Sequence, residues 1–151
     1  MGPELARSAR HAYSLGVLLI DIDHFKLIND RHGHLSGDRV IAALGSTLGE
    51  QIRRSDHAAR WGGEEFGVAL LSTSVDGALV AAERIRAAVE ALVLASPAGE
   101  RIPVTASVGL AMLEGDEPLE RLVDRADRAM YASKTGGRNR VTLLSSAAIA
   151  A

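Results

Sequence analysis

The stretch Ala58-Ala59-Arg60-Trp61-Gly62-Gly63-Glu64-Glu65-Phe66-Gly67-Val68-Ala69-Leu70-Leu71 decides how this chain folds. Two runs able to form strands, Ala58 to Trp61 and Glu65 to Leu71, flank a Gly-Gly pair, the composition of a tight hairpin turn with positive φ at its centre. A hairpin supplies at least one antiparallel pair, so the sheet cannot be purely parallel. Upstream, Gly16 to Ile22 is almost continuously apolar and rich in branched residues, as a strand covered on both faces requires, and it ends on the carboxylates Asp21 and Asp23.

The remaining segments read as helices and strands around these three. Leu5, Ala9 and Ala12 suggest a first helix, and Phe25 to Arg31 a short one. Val40, Ile41, Leu44, Leu48 and Ile52 form a helical stripe behind Asp38, a candidate N-cap. After the hairpin, Val75, Leu79, Ala82, Ile85, Val89 and Val93 mark a long amphipathic helix. Val104 to Met112 follows as a strand, Leu119 to Lys134 as a helix and Asn139 to Leu144 as a last strand. Breaks fall at Gly33 to Gly37, Gly62-Gly63, Ser96 to Gly99, Glu114 to Pro118 and Gly136-Gly137, and the Ala-rich end from Ser145 reads as a flexible tail. The predicted fold is α/β in the broad sense, more narrowly α+β: a mixed, mainly antiparallel central sheet surrounded by helices.

At 151 residues with 47% hydrophobic content, one domain with one substantial core is expected over residues 1–151. A net charge of −2 gives no general affinity for nucleic acid backbones or anionic membranes. The absence of cysteine excludes disulfides, thiol nucleophiles and thiolate metal sites, and suits a reducing compartment, so a cytoplasmic location is expected. The strongest apolar run, Val17 to Ile20, is too short to span a bilayer, and Met1-Gly2-Pro3-Glu4 lacks a signal pattern, so no membrane contact is expected from this segment.

Chemistry concentrates where the first strand ends. Asp21-Ile22-Asp23-His24-Phe25-Lys26 puts carboxylates at a strand-to-helix junction, a natural edge for a ligand. A plain alternative has Asp23 as an N-cap and Asp21 as an ordinary strand-end residue. The hairpin would present Glu64 at its tip, beside glycines that leave room for a substrate; a simple turn with solvated acids is the alternative. If the two strands pair centrally, Asp21 and Glu64 converge, and clustered hard oxygens suit Mg²⁺ on phosphates. Two such ions can stabilise the attacking and leaving oxygens of a phosphoryl transfer.

The set Asp21-Ile22-Asp23-His24-Phe25-Lys26, Ile28-Asn29-Asp30, Gly33-His34, Gly37-Asp38, Arg60-Trp61-Gly62-Gly63-Glu64-Glu65-Phe66 and Gly137-Arg138-Asn139 resembles the GGDEF family of diguanylate cyclases. The likeness runs from about Ser14 to Val141. The Asp-x-Leu-Thr-Gly-Leu-x-Asn-Arg stretch that opens most family domains has no counterpart before Leu5, as in a piece cut from a longer regulated protein.

The resemblance implies a ferredoxin-like core similar to the palm of polymerases and adenylyl cyclases. It implies two Mg²⁺ (or Mn²⁺) ions per active site, held by Asp21, the Ile22 carbonyl and Glu64 with help from Glu65, and it makes Glu64 the general base for a 3′-hydroxyl. A free carboxylate is a weak base for a hydroxyl, so lowering of the hydroxyl's pKa by the metal is the more credible activation. His24, Phe25 and Lys26 would offer backbone N–H groups to the phosphates. Lys134 and Arg138 would neutralise the triphosphate, and Asn29 and Asp38 would read the base. An ionised Asp38 only accepts hydrogen bonds, which matches the two adjacent donors of guanine and rejects adenine.

Arg53-Arg54-Ser55-Asp56 matches the family's Arg-x-x-Asp inhibitory site, with Arg84 on the following helix completing it. A solvated charge cluster at a helix end explains the same residues more plainly. Other candidates carry less. His32 and His34 lack further ligands and read as loop histidines. Lys134-Thr135-Gly136-Gly137 reverses a P-loop, Ser107 has no elbow motif, and Trp61 reads as a packing residue.

The function the resemblance implies is condensation of two GTP into cyclic di-GMP and two pyrophosphates by a homodimer, with feedback inhibition by the product. The chain would be fused to a regulatory or sensor domain in the full-length protein. The alternative is a catalytically silent domain acting as a GTP or cyclic di-GMP receptor. A third possibility is a cyclase with a different cyclic dinucleotide product.

Overall fold

Strand β1 (Leu15–Ile22) is buried from Gly16 onward and lies at the centre of a five-stranded sheet. The computed structural model describes residues 14–147; the helix expected through Leu5, Ala9 and Ala12 lies outside the described residues. After β1 come α1 (Phe25–His32), α2 (His34–Gln51), β2 (His57–Gly62), β3 (Glu65–Leu71) and α3 (Val75–Glu90). The two-residue strands β4 (Leu94–Ala95) and β5 (Arg101–Ile102) precede β6 (Ala106–Met112), α4 (Leu119–Thr135) and β7 (Arg140–Leu143). The main sheet runs β2-β3-β1-β6-β7, antiparallel except for the parallel β6–β7 edge, so the mixed, mainly antiparallel sheet expected from the hairpin is what forms.

Period-2 alternation divides β1 between two cores. Leu18, Ile20 and Ile22 join Phe66, Val68 and Leu70 of β3 beneath Val40, Leu44 and Leu48 of α2 and Ala82 and Ile85 of α3. Val17 and Leu19 point the other way, onto Leu122, Ala126 and Met130 of α4. Asp21 continues this second set, so it emerges on the α4 face at the strand's end.

Close approach of α4 depends on Gly109 of β6. A Cβ there would lie 2.1 Å from the Met130 nitrogen and 2.3 Å from the Ala126 carbonyl oxygen. Both are backbone atoms, so no side-chain adjustment could make room. The N-terminal half of α4 is tied down by Arg125, whose 2% exposed guanidinium makes two 2.8 Å bonds to Glu117 and also reaches the Met112 carbonyl.

Several local expectations change. α2 starts at His34, so Asp38 lies inside the helix and does not cap it. The break between α1 and α2 is Gly33 alone, whose φ of 91° only glycine adopts without strain. His32 and His34 are therefore helical, with His32 closing α1 and its Nδ1 4.0 Å from Glu100.

In the hairpin Gly62 pairs with Glu65, and neither Gly62 nor Gly63 has positive φ. A register shift between Arg60 and Gly62 turns the chain, and Arg60 braces the turn by donating from Nη2 to the Gly63 carbonyl at 2.7 Å. Trp61 lies over Gly67 yet is 58% exposed, less of a packing residue than expected. α3 ends at Glu90, three residues short of Val93, because the chain turns at Ala91 and Leu92 into the small β4–β5 ladder around the Ser96 to Gly99 break. The expected tail from Ser145 is anchored further along, since Ser146 donates to Glu114 from both its backbone nitrogen and its hydroxyl. No helix among the described residues is long and apolar enough to cross a membrane.

Candidate active site

Pairing of β1 with β3 sets Asp21 directly opposite Glu65, and the Ile22 N–H donates to the Glu64 carbonyl at 3.3 Å. Directly opposed side chains share a face, so the sheet itself brings Asp21 and Glu65 together, with Glu64 one residue away in the turn. Lys134, in the last turn of α4, forms an ion pair with the Asp21 carboxylate. Burial pushes the Asp21 carboxyl above its usual range; Lys134 offsets part of this, and Glu64 and Asp23 add to it. Glu65 is likewise raised, first by burial and then by the charges of Asp21 and Asp127, with Lys134 opposing.

The Asp21 and Glu65 carboxylates sit close enough to repel, which adds to the effect of burial, and a nearby cation relieves it. An all-oxygen set of this kind, in a chain without cysteine, suits a hard divalent ion such as Mg²⁺ or Mn²⁺. Among the described residues no three acidic or imidazole side chains close on one point, because Asp21 is turned to Lys134. The residues fit such an ion in the chemistry of their oxygens, and the Asp21 carboxylate is occupied by Lys134.

Asp23 is not the N-cap of α1. It is 4% exposed and accepts from Ser107 Oγ at 2.6 Å, Thr105 Oγ1 at 2.8 Å and the Asn139 N–H at 3.0 Å. His24 caps α1 instead, in the left-handed region at φ 55°, and no side chain caps the first turn. The start of α1 at His24, Phe25 and Lys26 is thus a helix N-terminus without a side-chain cap, two residues after the end of the Asp21 strand, and helix N-termini favour anions. Gly137, Arg138 and Asn139 follow α4 with φ of 124°, 65° and 46°. Each of the two non-glycine residues bears a cost of about 1–2 kcal/mol for this conformation, so outside contacts must hold them.

Asn29 lies against α2, and its Oδ1 is buried with no hydrogen-bond partner among the described residues. A Cβ at Gly37 would come within 1.8 Å of that oxygen. Asp38 follows Gly37 in α2 and is exposed. We expect Gly37→Ala to leave stability within about 1 kcal/mol, because alanine favours helix by about that amount and Asn29 can swing aside. If Asn29 reads the base as the resemblance implies, displacing its carboxamide should weaken GTP binding about tenfold, a loss of roughly 1.4 kcal/mol measurable by titration calorimetry.

At the far end of α2 the charged cluster is folded on itself. Arg53 bonds Asp56 through its backbone N–H at 3.0 Å and its guanidinium at 3.1 and 3.2 Å, and Leu71 N–H adds a bond at 3.2 Å. Arg84 donates to the Gln51 carbonyl at 2.7 Å, at the end of the same helix that Arg53 and Asp56 follow. Burial pushes the Asp56 carboxyl up, but its bonds to Arg53 and Leu71 outweigh this and hold it below its usual range. A depressed carboxylate adds stability that is present above its unfolded value and lost as pH falls through its folded value. Asp56→Asn should therefore cost about 1–2 kcal/mol at pH 7, allowing for the half-exposed Arg53, and the cost should shrink in acid-unfolding curves as pH falls through the folded value of Asp56.

Sequence reasoning overlooked several residues that build this site. Asp23 was weighed as a carboxylate at a ligand edge or as a cap, and not as the buried partner of Ser107 and Thr105. Arg86 of α3 donates to the Asn139 side chain at 2.7 Å and is itself held by Glu83 and Glu90, and only the fold brings these together. Gly109 carried a usable signal, since an isolated glycine inside a strand marks close backbone approach.

Comparison with known proteins agrees with this geometry. The family described as "Diguanylate cyclase, GGDEF domain" matches residues 1–140. The chain is 42% identical over 140 residues to the diguanylate cyclase DosC of Escherichia coli K12, covering 93% of this chain and 30% of that protein. It is 47% identical over 131 residues to diguanylate cyclase A of Treponema denticola, covering 86% and 35%. It thus spans about a third of the length of these curated relatives. The crystal structure of the GGDEF domain of DgcB from Caulobacter crescentus in complex with c-di-GMP superposes with a TM-score of 0.85 at 36% identity, over 92% of this chain and 82% of that one. With the Gly62-Gly63-Glu64-Glu65-Phe66 hairpin beside Asp21 on a palm-like sheet, this chain belongs to the GGDEF family of diguanylate cyclase domains.

Proposed function

We propose that this chain is an active cyclase domain that condenses two GTP molecules into cyclic di-GMP, releasing two pyrophosphates. The observation that carries this reading is the register that opposes Asp21 and Glu65 beside the Glu64 turn. Such a cluster costs stability and has no use in a module that only binds nucleotide. Asp21, the Ile22 carbonyl, Glu64 and Glu65 would hold two Mg²⁺ or Mn²⁺ ions. When bound, these would lower the pKa of the attacking 3′-hydroxyl and neutralise charge gathering on the α-phosphate.

The protein groups do the positioning. The N–H groups of His24, Phe25 and Lys26 receive phosphate oxygens, and Lys134 and Arg138 balance the triphosphate's charge. On this reading Asn29 and Asp38 read the base: an ionised Asp38 accepts from the guanine edge, where adenine would present an acceptor to an acceptor. One domain holds one GTP, so two domains must face each other in a two-fold dimer, each 3′-hydroxyl attacking the α-phosphate of the other's GTP. These substrates, and the shorter span of the chain relative to its relatives, fit a cytoplasmic domain joined to a regulatory one.

Product bound at Arg53, Asp56 and Arg84 would inhibit the enzyme, and Arg53→Ala should raise the cyclic di-GMP concentration needed for half inhibition at least tenfold in a turnover assay. The function itself is tested by incubating the concentrated domain with GTP and Mg²⁺ and separating the nucleotides by chromatography. Cyclic di-GMP with pyrophosphate is the expected outcome. Its absence, even from a version fused to a dimerising coiled coil, would favour the receptor reading.

A further inference from the structure

The phosphate end of the site is made from two distant parts of the chain. The junction after β1 carries Asp21 and the open start of α1, while the α4–β7 loop carries Arg138. Arg138 is exposed and stands between Gly137 and Asn139 in a run of three consecutive positive-φ residues. Its own N–H donates to the Ser133 carbonyl at 2.9 Å, which fixes where the loop leaves α4 but not where it goes next.

Two further ties decide that. From one side, the buried Asp23 carboxylate accepts the Asn139 N–H, and the hydroxyls of Thr105 and Ser107 hold Asp23 in turn. From the other, Asn139 accepts from Arg86 at 2.7 Å and donates to Glu90 at 2.8 Å, both on α3. Arg86 cannot drift, because Glu83 at 2.6 Å and Glu90 at 3.0 Å grip its guanidinium. Asparagine is also among the few side chains that tolerate the left-handed region, so this position combines the permitted backbone with the required bonds.

We infer that Asp23 and Asn139 are positioning residues for Arg138. They lock the left-handed loop against the β1–α1 junction, so that the exposed Arg138 side chain projects from a backbone position fixed relative to the start of α1. Asp23 thus joins the two halves of the phosphate site without itself being a metal ligand. This rests on the reading of Arg138 as a triphosphate-binding cation. A flexible Arg138 would lose rotational and backbone freedom each time GTP bound; a loop already ordered does not.

The test is calorimetric titration with the α,β-methylene analogue of GTP and Mg²⁺, which reports binding without turnover, on the parent, Arg138→Ala, Asn139→Gly and Asp23→Ala. Asn139→Gly keeps the left-handed backbone accessible and removes only the side-chain bonds, so it carries the test even if Asp23→Ala fails to fold. Thermal melting verifies folding. Asn139→Gly and Asp23→Ala should each weaken the analogue about tenfold, Asp23→Asn should recover most of the loss, and Asn139→Gly should add almost nothing in the Arg138→Ala background. If Arg138→Ala weakens binding but Asn139→Gly is silent, or its effect adds fully to that of Arg138→Ala, the positioning role is refuted while Arg138 keeps its own. If Arg138→Ala itself leaves binding unchanged, the reading of Arg138 fails and the positioning role falls with it.

Discussion

Glu64→Gln is expected to lower cyclic di-GMP formation by about 10³-fold, equivalent to about 4 kcal/mol of transition-state stabilisation, while the melting temperature stays within a degree or two. Glutamine preserves shape and one acceptor oxygen but removes the charge that a hard cation needs. Glu64 lies in the turn after β2, and its backbone carbonyl, not its side chain, is what bonds Ile22. The hairpin should therefore close as before, braced by Arg60 on the Gly63 carbonyl. Initial-rate chromatography of the product, beside a thermal melt of the same sample, separates the two effects. Turnover within tenfold of the parent would show that Glu64 is not a metal ligand. A large fall in melting temperature would show instead that the side chain has a structural role this geometry does not reveal.

Gly109→Ala should be the most destabilising single methyl group that can be added to the sheet. The new Cβ would overlap the Met130 nitrogen and the Ala126 carbonyl oxygen, so relief requires α4 to move away as a body. That movement opens the core formed by Val17, Leu19, Leu122 and Ala126 and strains the buried Arg125–Glu117 pair. Overpacking against rigid backbone of this kind costs about 3 kcal/mol, which lowers the melting temperature by about 6–12 °C in a domain of this size. α4 also carries Lys134, so the loss of stability should be accompanied by a loss of GTP affinity in the surviving folded fraction. A melting temperature within two degrees of the parent would mean that α4 rides higher on β6 than described.

The two outcomes differ in how well the chain announced them. Glu64 was legible because hairpin chemistry is local: a Gly-Gly pair between two strand-forming runs puts the next residue at a turn wherever the hairpin ends up. The same holds for β1, whose unbroken apolar run can only be a covered strand, and for α2, α3 and α4, whose stripes repeat at the helical period. That Asp21 would meet the hairpin followed only if its strand paired centrally, and the register then set it opposite Glu65, one residue past the expected Glu64. The cap at Asp38 was misjudged for an equally local reason, since propensity within the His34 to Asp38 segment does not reveal that Asn29 needs Gly37 inside a helix to lie against it.

Asp23, Asn139, Arg86, Gly109 and the pairing of Lys134 with Asp21 belong to another category. Their partners stand 84 residues apart for Asp23 and Ser107, 116 for Asp23 and Asn139, and 113 for Lys134 and Asp21. Periodicity and turn chemistry describe a residue's neighbours within one or two turns, so they determined which elements form, which of their faces are apolar and where acids and glycines punctuate them. Which carboxylate is buried beneath hydroxyls, which lysine neutralises which aspartate and how closely a helix backbone may approach a strand are set by the order of strands in the sheet. The tertiary structure alone decided these, because burial and short-range electrostatics act only once the distant segments have been brought into contact.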